Sequence, residues 1–387
     1  MSLNRIVELA QKADTRLQRW RDPASRTVLL NARTPMNYAV MAPIHKGMKD
    51  DPRVKFYFMA SESPERTREI YPEAPEAGHV NPRRAAIMKF DAYLAADLLW
   101  VTLPRGTRRI QMFHGVAGKY GHIYDRPDTS MRAWDRLFFI NRKRLKNFIA
   151  SGAIDPDSRA ARLVGMPKLD CLLDGSLERD AVLSSLGLDP SRKTVLYAPT
   201  WSPYSSLNAM GEELVARLTE RGYSVIVKLH DRSRDPEYVH SGGVDWVARL
   251  DPILRSGGGL LATGSDACPY MAAADLLITD HSSVGFEYLL LDRPVVRVEM
   301  PELIAKTDIH PDYVTLLTQA STTARDVPET VRAVERSLAE PASQSSARKH
   351  VASELFHEPG TATRRAVREL YELLELDQAS LAVGAAI

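Results

Sequence analysis

The densest run of chemically able residues is Thr279-Asp280-His281-Ser282-Ser283-Val284-Gly285-Phe286-Glu287-Tyr288. An apolar stretch ends at Asp280, and serine is a good helix N-cap. The pattern therefore predicts a strand closing at Asp280 and a helix opening at Ser282 or Ser283. Such a turn offers unpaired backbone N–H groups beside two hydroxyls, which suits an anion. Glu287 lies four residues beyond Ser283, on the same helix face. Its carboxylate could hold ribose hydroxyls, as acidic residues do in other nucleotide sites. The bland alternative is an ordinary cap followed by a surface glutamate.

Three further constellations carry chemistry. In Phe113-His114-Gly115, with Lys119 five residues after the histidine, an imidazole stands at the predicted end of a strand. Gly115 lets the chain turn at once, and an imidazole there can take a proton from a hydroxyl. His122 and Asp125 follow closely and could orient a substrate. In Lys228-Leu229-His230-Asp231-Arg232, Lys228 and His230 point to one side of a strand with Arg232 close behind. A diphosphate could use all three; a solvated basic loop is the competing reading. In Tyr197-Ala198-Pro199-Thr200-Trp201-Ser202, Thr200 or Ser202 could hydrogen-bond phosphate. Trp201 fits interdomain packing as well as it fits a nucleobase platform.

These motifs need a scaffold that gathers strand ends. Strand-like runs at 27–31, 54–60, 97–103, 108–114 and 136–141 are separated by helical spacers, notably 85–96 and 142–151. After a polar stretch from Cys171 to Lys193 the alternation restarts. Strands are expected at 194–200, 223–230, 258–264, 275–280 and 294–300, with helices at 209–221 and 244–255. Short β-rich runs alternating with helices read as parallel α/β sheets. The pentapeptide Ala-Ala-Asp-Leu-Leu occurs at 95–99 and again at 273–277, each read as a helix feeding a strand. The expected architecture is α/β, with two Rossmann-like domains at 1–172 and 193–345 facing a central cleft. A helical tail at 361–377, beyond a Pro341–Ser346 linker, should return to the first domain. Ligands in such domains bind outside the carboxyl ends of the strands.

Composition excludes several classes. A chain of 387 residues suits two domains, and 44% hydrophobic with 26% charged residues is a globular balance. Fifty-one Lys and Arg against 49 Asp and Glu leave a formal charge of +2, which provides no footprint for nucleic acid. Two distant cysteines, Cys171 and Cys268, make no disulfide scaffold. The start lacks the apolar core of a signal peptide, so a cytoplasmic chain is expected. Leu3, Ile6, Val7, Ala10, Leu17 and Trp20 mark an apolar helical face flanked by basic residues. That helix either packs on its domain or makes a peripheral contact, through residues 3–21, with the inner face of the membrane. GxxxxGK[ST], GxGxxG and GxSxG are absent, which argues against P-loop, nicotinamide and α/β-hydrolase chemistry. No metal ligand set is assigned, since HExxH and C2H2 spacings are missing and Asp308-Ile309-His310 is isolated.

Taken in order, Phe113-His114-Gly115 with Lys119, LYAPTW (196–201), Lys228 with His230, and TDHSSVGFEYLLLDRPVV (279–296) resemble the CDP-glycerol glycerophosphotransferases. This family includes teichoic-acid polymerases and primases, and the resemblance runs from about residue 95 to 370. It implies a GT-B fold and transfer of an alditol phosphate from a CDP-activated donor to a hydroxyl on a lipid-linked or polymer acceptor, releasing CMP. The family's first catalytic histidine falls on His114, with Phe113 in place of tryptophan. The second falls on His230, with Asp231 in place of proline. The paired serines fall on Ser282 and Ser283, with His281 in place of tyrosine, and an acidic residue falls on Glu287. A basic motif near the C-terminus is reduced to Pro359-Gly360-Thr361-Ala362-Thr363-Arg364-Arg365 and lacks its lysine. On this reading His114 deprotonates the acceptor. Thr200, Lys228, His230, Arg232, Ser282 and Ser283 grip the diphosphate, and Glu287 holds the nucleotide. No tightly bound cofactor is expected, and a Mg²⁺ on the donor diphosphate would keep mostly water ligands. A GT-B glycosyltransferase using a nucleotide sugar is the alternative enzyme, and an inactive GT-B scaffold subunit is the alternative outside enzymes.

Overall fold

The structure is a computed structural model describing residues 3–22, 24–116 and 129–377. Lys119, His122 and Asp125 lie outside the described residues. The chain divides into two compact units. One comprises Met1–His114, Pro127–Lys168 and Thr361–Ile387, the other Gly115–Arg126 and Leu169–Gly360.

The first unit is built on six parallel strands: β1 (Arg26–Asn31), β2 (Val54–Met59), β3 (Ala92–Ala96), β4 (Arg108–Met112), β5 (Arg136–Phe139) and β6 (Ala161–Leu163). Their order is β2-β1-β3-β4-β5-β6. Helices cover the sheet, so its central strands are buried on both faces and read as apolar runs. The core on one face joins Val28 and Leu30 of β1, Leu94 of β3, and Ile110 and Met112 of β4. Ala366, Val367, Leu370 and Tyr371 of the helix Ala362–Leu373 complete it. The guanidinium groups of Arg136 and Arg162 both reach Glu369 of that helix.

The second unit has β7 (Thr194–Tyr197), β8 (Ser224–Val227), β9 (Leu260–Leu261), β10 (Leu276–Thr279), β11 (Val295–Val298) and β12 (Thr322–Ala324). These are also all parallel, in the order β12-β11-β10-β7-β8-β9. The numbering reverses between β10 and β7. That is the switch point at which doubly wound sheets open a crevice for ligand.

One stretch departs from the sequence expectation. Residues 85–96 were expected to be helical and 97–103 a strand. Instead Ala92–Ala96 is the central strand β3, every residue of it buried, and the strand stops at Ala96. Asp97 and Leu98 take φ of 60° and 57° and turn the chain out of the sheet. Alanine has weak strand preference, so the pairing of Ala92–Ala96 with β1 and β4 overrides local propensity. The repeated pentapeptide thus takes two structures. At 273–277 a helix ending at Ala273 leads into β10, whereas at 95–99 a strand leads into a turn. Strands β6 and β12, three residues each, were not foreseen.

Candidate functional site

In the first unit, chemistry collects at the carboxyl ends of β3 and β4. Asp97 follows β3 directly and His114 stands two residues past β4. His114 Nδ1 lies 2.5 Å from Asp97 Oδ2, and the His114 backbone N–H points to Asp97 Oδ1 at 3.4 Å. Asn37 Nδ2 donates to Asp97 Oδ2 at 2.8 Å. Burial opposes ionisation of Asp97, but the hydrogen bonds from His114 and Asn37 outweigh it and hold the carboxyl below its ordinary range. An anionic Asp97 keeps the His114 proton on Nδ1, so Nε2 is an acceptor. The His114 side chain is 56% exposed, within reach of a substrate. This pair is the base-and-orienter arrangement of nucleophilic enzymes. Sequence reasoning identified His114 and missed Asp97; the available signal was an aspartate closing a strand-length buried run.

In the second unit, β10, β7 and β8 are neighbours, so the turns after them lie side by side at one sheet edge. Asp280, 1% exposed, ties two of these turns together. Its Oδ1 accepts from the backbone N–H of Thr200 at 2.8 Å and of His281 at 2.6 Å. Its Oδ2 accepts from Ser206 N and Ser206 Oγ, both at 3.0 Å. Tyr197 Oη lies 2.9 Å from Ser206 Oγ, and Thr279 Oγ1 donates to Ala198 O at 2.7 Å. The carboxylate clamps the turn after β7 against the tip of β10 at the switch point. No role had been assigned to Asp280 from sequence.

The expected donor-site residues take these places. Ser282 caps the helix Ser283–Tyr288, its Oγ accepting from Val284 N at 3.4 Å. Ser282 and Ser283 are partly exposed, whereas Glu287 is buried at 3% exposure. Gly285 lets the helix close on β10, because a Cβ there would meet Thr279 Cγ2 at 3.1 Å. Thr200 is buried, and its Oγ1 has no hydrogen-bond partner among the described residues. Lys228 is 7% exposed and its Nζ donates to Leu229 O at 2.9 Å. His230 Nδ1 accepts from Arg232 N at 3.1 Å, which puts the ring proton on Nε2. The two histidines therefore hold opposite tautomers: His114 offers an acceptor nitrogen and His230 a donor. The Arg232 guanidinium lies 4.3 Å over the Trp201 ring, so Trp201 packs on a cation within its own unit. His230 and His240 also contact Trp201, at ring-centroid distances of 6.0 Å each. Asp235, Glu237 and His240 bring one potential ligand atom each within 4.8 Å of one another, a grouping not foreseen.

Two Rossmann-type sheets with their chemistry at the strand tips define a GT-B protein. The same fold is seen in the wall teichoic acid polymerase TagF, whose structure matches with a TM-score of 0.68 at 15% identity, covering 97% of this chain and 98% of that one. The model of the family described as CDP-Glycerol:Poly(glycerophosphate) glycerophosphotransferase matches residues 16–372, and the chain belongs to that family. Curated relatives include a teichoic acid poly(glycerol phosphate) polymerase of Staphylococcus epidermidis, 26% identical over 52% of this chain. Another carries the same name in Bacillus spizizenii, 24% identical over 51% of this chain. The matched stretches span 26% and 53% of those relatives.

Proposed function

We propose that the protein transfers an alditol phosphate, with glycerol phosphate the first choice, from a CDP-activated donor to a hydroxyl of a lipid-linked or polymer acceptor. The observation that carries this reading is the Asp97–His114 pair, which holds Nε2 as a proton acceptor at the histidine that the motif resemblance singles out. His114 Nε2 takes the acceptor's hydroxyl proton as the oxygen attacks the donor's β-phosphorus. The bond from that phosphorus to the bridging oxygen breaks, and CMP leaves with the electron pair. Lys228, Arg232, the Nε2–H of His230, Thr200 Oγ1 and the Ser282–Ser283 turn stabilise the diphosphate and the charge that develops on the leaving oxygen. Glu287 serves the nucleotide from within the helix, and a Mg²⁺, if one came with the diphosphate, would neutralise phosphate charge and be held mostly by water rather than by protein side chains.

A lipid-linked acceptor would be met at a membrane surface. Leu9, Leu17 and Trp20 are exposed on the helix Leu3–Arg21, Trp20 at 81%. Gln11 and Asp14 of the same helix are tied to Ala86 and Lys89 of the body. A tethered helix with bare apolar residues and exposed Lys12 and Arg16 fits a peripheral contact. Among the described residues, no helix is long and apolar enough to cross a membrane.

The direct test is incubation of the full chain with CDP-glycerol, CDP-ribitol and common nucleotide sugars, with CMP and nucleoside diphosphates resolved by chromatography. CMP release from a CDP-alditol, lost in His114→Ala, is expected. A nucleoside diphosphate and a glycoside as products would replace this reading with sugar transfer.

A further inference from the structure

A cavity of about 290 Å³ opens in the first unit between the segments that follow β2 and β3. Met59, Ser61 and Glu62 form one wall, Leu99 and Trp100 the other. Strand β1 lies between β2 and β3, so its last residue straddles the two walls. That residue is Asn31, fully buried. Asn31 Nδ2 donates to Ser61 Oγ at 2.9 Å and to Tyr93 Oη at 2.8 Å, while its Oδ1 accepts from Ser61 N at 3.1 Å. Tyr93 Oη then donates to Leu99 O at 2.5 Å. One buried polar network thus holds both lips, an arrangement costly to bury unless every member is satisfied.

Trp100 is 51% exposed yet fixed. The Arg109 guanidinium lies 3.9 Å over its ring, and Trp134 meets it edge-on at 5.6 Å. Glu62 is held by the Arg33 guanidinium at 2.5 and 2.7 Å. Among the described residues the lining includes no lysine or arginine, and its carboxylate is the Arg33-paired Glu62. It begins two residues after Asp97, because the left-handed turn at Asp97 and Leu98 sends the chain from the His114 partner straight into this wall.

We propose that this cavity seats a saccharide ring of the acceptor, an assignment that rests on the transfer reading above for its place in the reaction. An indole flat and partly exposed takes the C–H face of a pyranose. Ser61 and the Glu62 carboxylate take hydroxyls, and Met59 and Leu99 take the remaining apolar edge. The lining offers no cation to a phosphate, and its carboxylate is ion-paired with Arg33, so a neutral ring suits it better than a polyol phosphate. The volume lies at the small end of ligand pockets, which fits one ring.

The test uses the full chain and two probes at millimolar concentration, methyl N-acetyl-β-glucosaminide and glycerol 1-phosphate, read by saturation-transfer NMR. Donor affinity is measured separately by calorimetry with CDP-glycerol. Transfer to the glycoside's ring protons is expected, reduced about fivefold or more in Trp100→Ala and Glu62→Gln, retained in part in Trp100→Phe, with donor affinity unchanged. Circular dichroism confirms folding, and Trp100→Phe carries the test if the alanine variant does not fold. No transfer in the wild type, equal transfer in Trp100→Ala and Trp100→Phe and the wild type, or a response to glycerol 1-phosphate alone would each overturn the assignment. Glycoside binding through Trp100 in a protein that neither binds nor turns over a CDP donor would support the cavity assignment while removing the transfer reading.

Discussion

His114 Nδ1 and Asp97 Oδ2 stand 2.5 Å apart although 17 residues separate them, and the left-handed backbone of Asp97 makes the meeting possible. Asparagine tolerates that backbone better than most residues, so Asp97→Asn changes the chemistry with little change in the fold. With its carboxamide oxygen in the Oδ1 place, the asparagine still accepts from the His114 backbone N–H. Its NH₂ then faces His114 Nδ1, which must become an acceptor, so the ring proton moves to Nε2 and the base is lost. Turnover of a CDP-alditol should fall on the order of 10²–10⁴-fold, with donor affinity within about twofold. The double variant with His114→Ala should be little worse than either single one. Single-turnover rates beside calorimetric affinities check this; near wild-type turnover in Asp97→Asn would remove the orienting role.

Asp280→Ala strands the buried N–H groups of Thr200, Ser206 and His281, while the Ser206 hydroxyl keeps Tyr197 as a partner. Each stranded buried donor costs about 1–3 kcal/mol, so stability should drop by several kcal/mol in urea unfolding. Donor affinity should fall with it, because the turn after β7 loses its anchor. A loss below about 1 kcal/mol would mean that the clamp is not needed at the switch point.

Arg232 and Trp201 should behave as a unit of unequal parts. Arg232→Ala removes a charged donor to phosphate and should weaken CDP-glycerol binding about tenfold. Trp201→Ala removes only the platform and should cost about two- to fivefold, the size of an exposed cation–π contact. Trp201→Phe should recover most of it. Equal affinity in Arg232→Ala and wild type, by calorimetry at fixed ionic strength, would take Arg232 out of the donor site.

Asp51 gives the fold a specific acid sensitivity. Its carboxylate accepts from the Arg53 side chain and backbone and from Tyr371 Oη, which ties the helix Ala362–Leu373 into the first unit. The Arg53 hydrogen bonds, ahead of burial, pull its pKa from 3.8 to about 2. A lowered folded-state pKa contributes stability that is fully present above the ordinary value and lost as pH falls toward about 2. Asp51→Asn should therefore melt below the wild type at pH 7, and the gap should close between pH 4 and 2. Melting curves that stay equally separated down to pH 2 would contradict this.

If the helix Leu3–Arg21 meets lipid, Trp20→Ser and Leu17→Ser should reduce sedimentation with anionic vesicles, and raised salt should do the same. These side chains are exposed, so melting temperature should not move. Equal sedimentation of wild type and variants would leave the helix with packing alone.

Much of the scaffold is local in origin and was legible from residues alone. Doubly buried strands leave largely apolar runs, so nine of the twelve strands among the described residues fall in stretches readable before any pairing was known. The Ser282 cap at the start of the helix Ser283–Tyr288 follows from serine after an apolar strand, and Phe113-His114-Gly115 announced a histidine at a strand tip. What the sequence could not convey depends on partners far along the chain. Ala92–Ala96 is a strand because β1 and β4 flank it, not because alanine prefers to be one. The identical pentapeptides at 95–99 and 273–277 diverge for the same reason. Asp97 faces His114 only because β3 pairs with β4 in this register, and Asp280 reaches Thr200 and Ser206 only because β10 lies beside β7. Which nitrogen of each histidine carries its proton was likewise decided by tertiary neighbours, since a tautomer is set by the hydrogen bond the other nitrogen makes.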